Sequence, residues 1–162
     1  MDSSDAIQLI ILVVLVILSG FFSRTETAYT GVSRVKLRSM SDAGNAAAAR
    51  VLGILEDYSA LLSSLLIGNN IVNLSASALS TALTIKLAGN NMVGVSTGII
   101  TFLILMFGEI IPKRQAAAAP EDYALKYSRF MYVYVKLLHP VVVLVEIIAR
   151  AIAFVFRLNV DN

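Results

Sequence analysis

The chain has 162 residues, of which 57% are hydrophobic and 15% charged, and its mean hydropathy is +0.78. A domain this small has too little interior to hide so much apolar surface from water, and soluble domains carry about 25% charged residues, so a soluble enzyme and a disordered chain are both disfavoured. Cysteine is absent and His139 is the single histidine, which excludes a disulfide framework, thiol catalysis and a zinc–thiolate or histidine-rich metal site. The net charge of +2 is too small to point to nucleic acid.

The gaps between charges define the elements. Asp5 and Arg24 bracket 18 uncharged residues, Asp57 and Lys86 bracket 28, and Lys86 and Glu109 bracket 22. A helix needs roughly 20 apolar residues to cross the hydrocarbon. Three spans are therefore expected, at about 6–23, 60–85 and 91–111. The acidic leader MDSSD and the lack of a small-residue cleavage pattern argue against a signal peptide in the first.

Lys and Arg set the orientation. The segment after span one carries Arg24, Arg34, Lys36, Arg38 and Arg50, and the segment after span three carries Lys113, Arg114, Lys126, Arg129 and Lys136. Between spans two and three there is only Lys86. This contrast predicts a multi-pass cell-membrane protein with its N-terminus outside and its C-terminus in the cytoplasm. Residues 33–57 then form a cytoplasmic helical loop. Residues 120–158 read as a juxtamembrane helix hairpin, a belt hinged at His139-Pro140, rather than a fourth span, because Glu146 and Arg150 would be costly at mid-depth. These two stand four apart and can pair on one helical face.

Three polar clusters interrupt the apolar pattern. In the first, Gly20 loosens the cytoplasmic end of span one, and Ser23 offers a hydroxyl. Capping of a helix end explains such hydroxyls equally well. In the second, Asn70, Asn73 and Ser77 share a face of span two by their i, i+3, i+7 spacing, and either ligate or serve as interhelical glue. In the third, Pro112 has no N–H, so the carbonyl of Gly108 loses its helical donor beside Glu109. The bland alternative pairs Glu109 with Lys113. Hydroxyls, amide oxygens, a carbonyl and one carboxylate suit Mg²⁺, Na⁺ or Ca²⁺ better than zinc or copper. Gly94 and Gly98 form a GxxxG, expected at a dimer contact or packed against span two.

At these clusters, GFFSRTETA (Gly20–Ala28), LLIGNNIVN (Leu65–Asn73) and FGEIIPK (Phe107–Lys113), the chain resembles the transmembrane domain of the CNNM/CorB–CorC family of magnesium transporters. The three motifs occur in order across about the first 115 residues. The resemblance implies an all-α membrane homodimer, a three-helix region at 1–114 and the basic juxtamembrane belt. It further implies Mg²⁺ efflux coupled to Na⁺ entry, with Mg²⁺ held by Ser23, Asn70, the Gly108 carbonyl and Glu109, less securely by Asn73 and Ser77. Family members continue into cytosolic CBS domains that bind adenine nucleotides. None follows within these residues, so ATP binding is expected only outside them. The short leader makes the chain look closer to bacterial and archaeal members. The competing readings are a dimeric membrane anchor for cytosolic regulatory domains and a proton-linked solute exporter with Glu109 as proton carrier. No nucleophile–base pair is visible, so an enzyme is not expected.

Overall fold

The computed structural model describes residues 3–155. Among them there is no strand. Helix α1 (Ser3–Gly31) carries the first apolar run and continues past it. Its outward side chains, such as Ile7, Ile10 and Ile17, have no protein neighbour to cover them, as expected of a helix whose solvent is lipid.

The loop after α1 is built by capping. Ser33 accepts the Lys36 N–H and starts α2 (Arg34–Asp42). Gly44, at φ +91°, turns the chain where a side chain would be strained. Asn45 then accepts from Ala47 and Ala48 to start α3 (Ala46–Glu56). Ala48, Val51, Ile54 and Leu55 form the buried stripe of α3. Asp57 accepts the Ala60 N–H and opens α4 (Tyr58–Ala88).

Helix α4 ends at Gly89, φ +82°, and a 3₁₀ turn (Asn90–Met92) leads into α5 (Val93–Leu103). The rod continues as a π-helical stretch (Ile104–Ile110) and then α6 (Ile111–Ala118). Three helical rods, Ser4–Gly31, Tyr58–Ala88 and Asn90–Ala118, are long and apolar enough to cross a membrane.

Helix α7 (Pro120–Val155) starts at a proline followed by Glu121 and Asp122, a favourable first turn. The structure corrects the expected hairpin: α7 runs through His139-Pro140 as a single helix. Pro140 removes one ladder bond, to the Lys136 carbonyl, and both His139 and Pro140 are exposed, so that carbonyl need not be satisfied by protein. Residues 156–158 lie outside the described residues. Arg150 pairs with Glu146 at 3.3 Å, as their spacing predicts.

Two apolar clusters hold the rods together. One, centred on Leu12, Ala76, Leu83 and Ile100, joins all three spans. The larger one brings Phe22 and Tyr29 of α1 together with α2, α3, the start of α4, and α7. Between α1 and α7 the rings of Phe21, Phe22, Tyr127, Phe130 and Tyr134 pack edge-on, tilted or stacked, with centroids 5.0–5.7 Å apart for the pairs that link them.

Candidate cation site

The site is built where α1 crosses the α5–α6 rod. A Cβ on Gly20 would lie 2.9 Å from the Phe107 carbonyl oxygen and 3.2 Å from Pro112 Cγ. A Cβ on Gly108 would lie 2.6 Å from Ser19 Oγ. Glycine on both sides is therefore what lets the two backbones touch. The helix-breaking role expected of Gly20 and Pro112 is corrected: α1 is unbroken at Gly20, and the third rod stays helical past Pro112. The missing proline N–H is absorbed by the wider register just before it, where Ile111 N–H bonds the Met106 carbonyl five residues back. The Gly108 carbonyl receives a long hydrogen bond from the Ser19 hydroxyl, 3.5 Å.

Helix α4 reaches the same level from the other side. Gly68 faces Phe22 and the Tyr134 hydroxyl, with no room for a Cβ, and Tyr134 donates to the Ser64 carbonyl at 2.9 Å. Asp5 of α1 pairs with Lys86 of α4 near the far end, so the two helices run antiparallel. Asn69, Asn70 and Asn73 follow Gly68 within about 8 Å along the axis at 1.5 Å per residue.

Burial divides the candidate residues. Ser23 is fully buried, one turn beyond Ser19, and its Oγ has no hydrogen-bond partner. Asn73 Nδ2 donates to Asn69 Oδ1 at 3.4 Å, while Asn73 Oδ1 is buried without a partner. Each such orphan oxygen costs on the order of 1–3 kcal/mol. Glu109 is half-buried. Lys113 pairs with Glu26 at 3.3 Å, not with Glu109, and the Glu109 carboxylate makes no ion pair or hydrogen bond among the described residues. Ser77 stands one turn past Asn73, half-buried, and its carbonyl accepts from Thr81 at 3.0 Å.

Among the described residues no hydrogen bond links Ser23, Asn73 and Glu109 to one another, and Asn70 is further removed. It is exposed, about 200° around α4 from buried Gly68. Asn69, which the sequence argument passed over, stands where Asn70 was expected to help. The i, i+4 spacing to Asn73 and i, i+8 to Ser77 is the signal that finds it. Ser19 was missed as well; its cue is the turn-spaced pair Ser19 and Ser23. Gly94 and Gly98 are exposed, and a Cβ on either would meet nothing within 4 Å, so packing against span two is not their role.

On the Glu109 side, two polar links tie α1 to α6. Arg24 Nη2 donates to Gln115 Oε1 at 2.6 Å, and Glu26 pairs with Lys113. Among the described residues no group of three or more His, Cys, Asp or Glu side chains comes together. A cation here would rest on hydroxyl, amide and carbonyl oxygens, with Glu109 supplying the charge.

Residues 10–161 match the family model for the Cyclin M transmembrane N-terminal domain. The chain belongs to the CNNM family. A UPF0053 protein of Haemophilus influenzae is 36% identical over 152 residues, 94% of this chain and 36% of that protein. The UPF0053 inner membrane protein YfjD of Escherichia coli is 38% identical over 144 residues, 89% of this chain and 34% of that protein. A chloroplastic DUF21 domain-containing protein of Arabidopsis thaliana is 35% identical over 118 residues, covering 72% of this chain and 18% of that protein. The chain thus spans about a third of the length of its bacterial relatives. It is the membrane domain of this family, with three apolar helices, and family membership is consistent with membrane transport.

Proposed function

We propose that this CNNM domain transports Mg²⁺, as efflux coupled to Na⁺ entry. The observation that carries the reading is a set of buried, unpartnered side-chain oxygens among the described residues, Ser23 Oγ on α1, one turn from the Ser19–Gly108 contact, and Ser64 Oγ and Asn73 Oδ1 on α4. Such atoms are normally hydrogen-bonded, and a hard cation satisfies them. The ligand set is Ser23, Asn73, the second lone pair of the Gly108 carbonyl and Glu109. Asn69 orients the Asn73 amide. Asn70 and Ser77 lie outside this set in one chain.

One carboxylate does not neutralise a divalent ion. The site is therefore weak and releasable, which transport requires. Na⁺ wants the same oxygens with half the charge, so it competes for the site and its gradient can drive exchange.

The reading includes a homodimer in the cell membrane, N-terminus outside, with α2, α3 and α7 on the cytoplasmic side. Two exposed features, Asn70 and the Gly94/Gly98 pair, favour a second copy as neighbour, since a bare amide facing lipid is unfavourable. ATP binding, if the whole protein has it, belongs to segments outside these residues.

The test is Mg²⁺ titration of the purified domain with and without Na⁺, on the parent and on Glu109→Gln. The substitution keeps the shape and removes the one formal counter-charge, which should weaken Mg²⁺ by on the order of 3 kcal/mol, about a hundredfold. Equal Mg²⁺ affinity in a well-folded Glu109→Gln protein would sink the proposed site. A parent that binds no Mg²⁺ would favour the membrane-anchor reading.

A further inference from the structure

A cavity of about 540 Å³ lies between α3 and α7, away from the crossing of α1 with Phe107–Pro112. That is within the roughly 300–1,000 Å³ of small-molecule sites. Its apolar wall includes Gly53, Ile54 and Val135, and its polar groups are Asp57, Tyr132, Lys136 and His139. Asp57 stands immediately before the apolar run of α4, so the cavity opens at the head-group level of the bilayer. Beyond it α7 continues into exposed Val141, Leu144 and Ile148, a surface along which acyl chains can lie.

The charges of the cavity are a matched pair. Asp57 Oδ1 accepts the Ala60 N–H at 3.0 Å, leaving its other oxygen to take a donor. Lys136 forms no ion pair among the described residues. We propose that this cavity binds the head group of a phospholipid with a primary ammonium, a phosphatidylethanolamine. Asp57 receives the ammonium N–H, and Lys136 with His139 receives the phosphate. A phosphatidylglycerol offers Asp57 only neutral hydroxyls and no positive charge, and a choline head group has no N–H to donate. The leaflet follows from the orientation proposed above; the binding itself does not depend on it or on the cation site.

Native mass spectrometry of the purified full chain, equilibrated with equal amounts of ethanolamine, choline and glycerol phospholipids of the same acyl chains, tests this. The parent should retain the ethanolamine lipid over the choline lipid by about tenfold, the worth of one charge-assisted hydrogen bond. Asp57→Asn keeps a good N-cap for α4 and should lose that preference. Lys136→Gln should lower retention of both lipids together. Gly53→Leu should lower retention severalfold by intruding on the cavity wall; a Cβ there meets nothing within 4 Å, and leucine is the better helix former, so the fold is not at risk. Retention of the glycerol lipid above the ethanolamine lipid, an unchanged preference in Asp57→Asn, or full retention by Gly53→Leu would each overturn the proposal. Mg²⁺ affinity should be the same in all three variants, which separates failure here from failure of the cation site.

Discussion

Gly20→Ala is the smallest change that tests whether close backbone contact makes the cation site. The new Cβ would sit 2.9 Å from the Phe107 carbonyl oxygen, a backbone atom that cannot swing aside, whereas ordinary contact begins at 3.4 Å. Restoring ordinary contact would move α1 and the third rod apart by about 0.5 Å. Overpacking of this kind costs roughly 1–3 kcal/mol of stability, so a folded protein remains to be assayed. The effect on the ion is larger in proportion. Mg²⁺ takes oxygens at about 2.0–2.1 Å in nearly ideal octahedral geometry, whereas Ca²⁺ accepts about 2.3–2.6 Å and irregular shells. A shift of about half an ångström between α1 and the third rod is comparable to the difference between the two ions' oxygen distances. Isothermal titration with both cations should show Mg²⁺ weakened at least about tenfold, 1.4 kcal/mol, and the ratio of Ca²⁺ to Mg²⁺ affinity raised. Gly53→Ala, in open space, is the control for a helical glycine and should stabilise slightly. If Gly20→Ala binds Mg²⁺ with parental affinity and selectivity, the contact of α1 with Phe107–Gly108 does not shape the site.

Ser23→Ala removes a buried hydroxyl that has no protein partner. Without Mg²⁺ its thermal stability should equal or exceed the parent's by about 1 kcal/mol, while the stabilisation produced by added Mg²⁺ shrinks. For topology, a cysteine placed at Ser41 of this cysteine-free chain should react with an impermeant reagent only after the membrane is opened; labelling from outside reverses the orientation. Glu121 has its carboxyl held below the ordinary 4.5, first by its own backbone N–H and also by Lys36, whose ammonium lies at 3.3 Å. A carboxyl lowered on folding stabilises fully above 4.5 and loses that stabilisation as pH falls through the folded value. Glu121→Gln should therefore flatten the acid limb of the stability profile and leave neutral pH nearly unchanged; an identical acid limb would remove Glu121 from the account.

The three spans are legible in the sequence because charge is forbidden in hydrocarbon, so the gaps after Asp5, Asp57 and Lys86 mark them directly. The 33–57 loop is legible as helix, and its boundaries follow from capping by Ser33, Asn45 and Asp57. Other features depend on which faces meet. Helix α4 is apolar or weakly polar nearly all round, so no stripe distinguishes Asn69 from Asn70, and only the packing of Gly68 on Phe22 turns Asn70 outward. Gly20 and Pro112 read as breaks when each helix is taken alone. They are a contact surface, because each is the space the other's helix needs. His139-Pro140 misleads for a related reason: a proline in an exposed helix forfeits one bond, and no buried neighbour forces the chain to turn.

Helix α1 is 29 residues long, about 43 Å, against roughly 30 Å of hydrocarbon. It is unbroken from Ser3 through Ser23 to Gly31, so its last turns form a lever arm rigidly joined to the proposed cation ligand Ser23. Gly20 is its fulcrum, and Gly31 lies about 16 Å further along. A tilt of about 5° at the fulcrum moves that end by about 1.4 Å. Tyr29, whose hydroxyl donates to the Ala124 carbonyl at 3.4 Å, and the Phe21 ring, 5.0 Å from that of Tyr127, couple the arm to α7. Were the proposed site occupied, any tilt of α1 that the cation imposed would reach α7 with no hinge in between to absorb it.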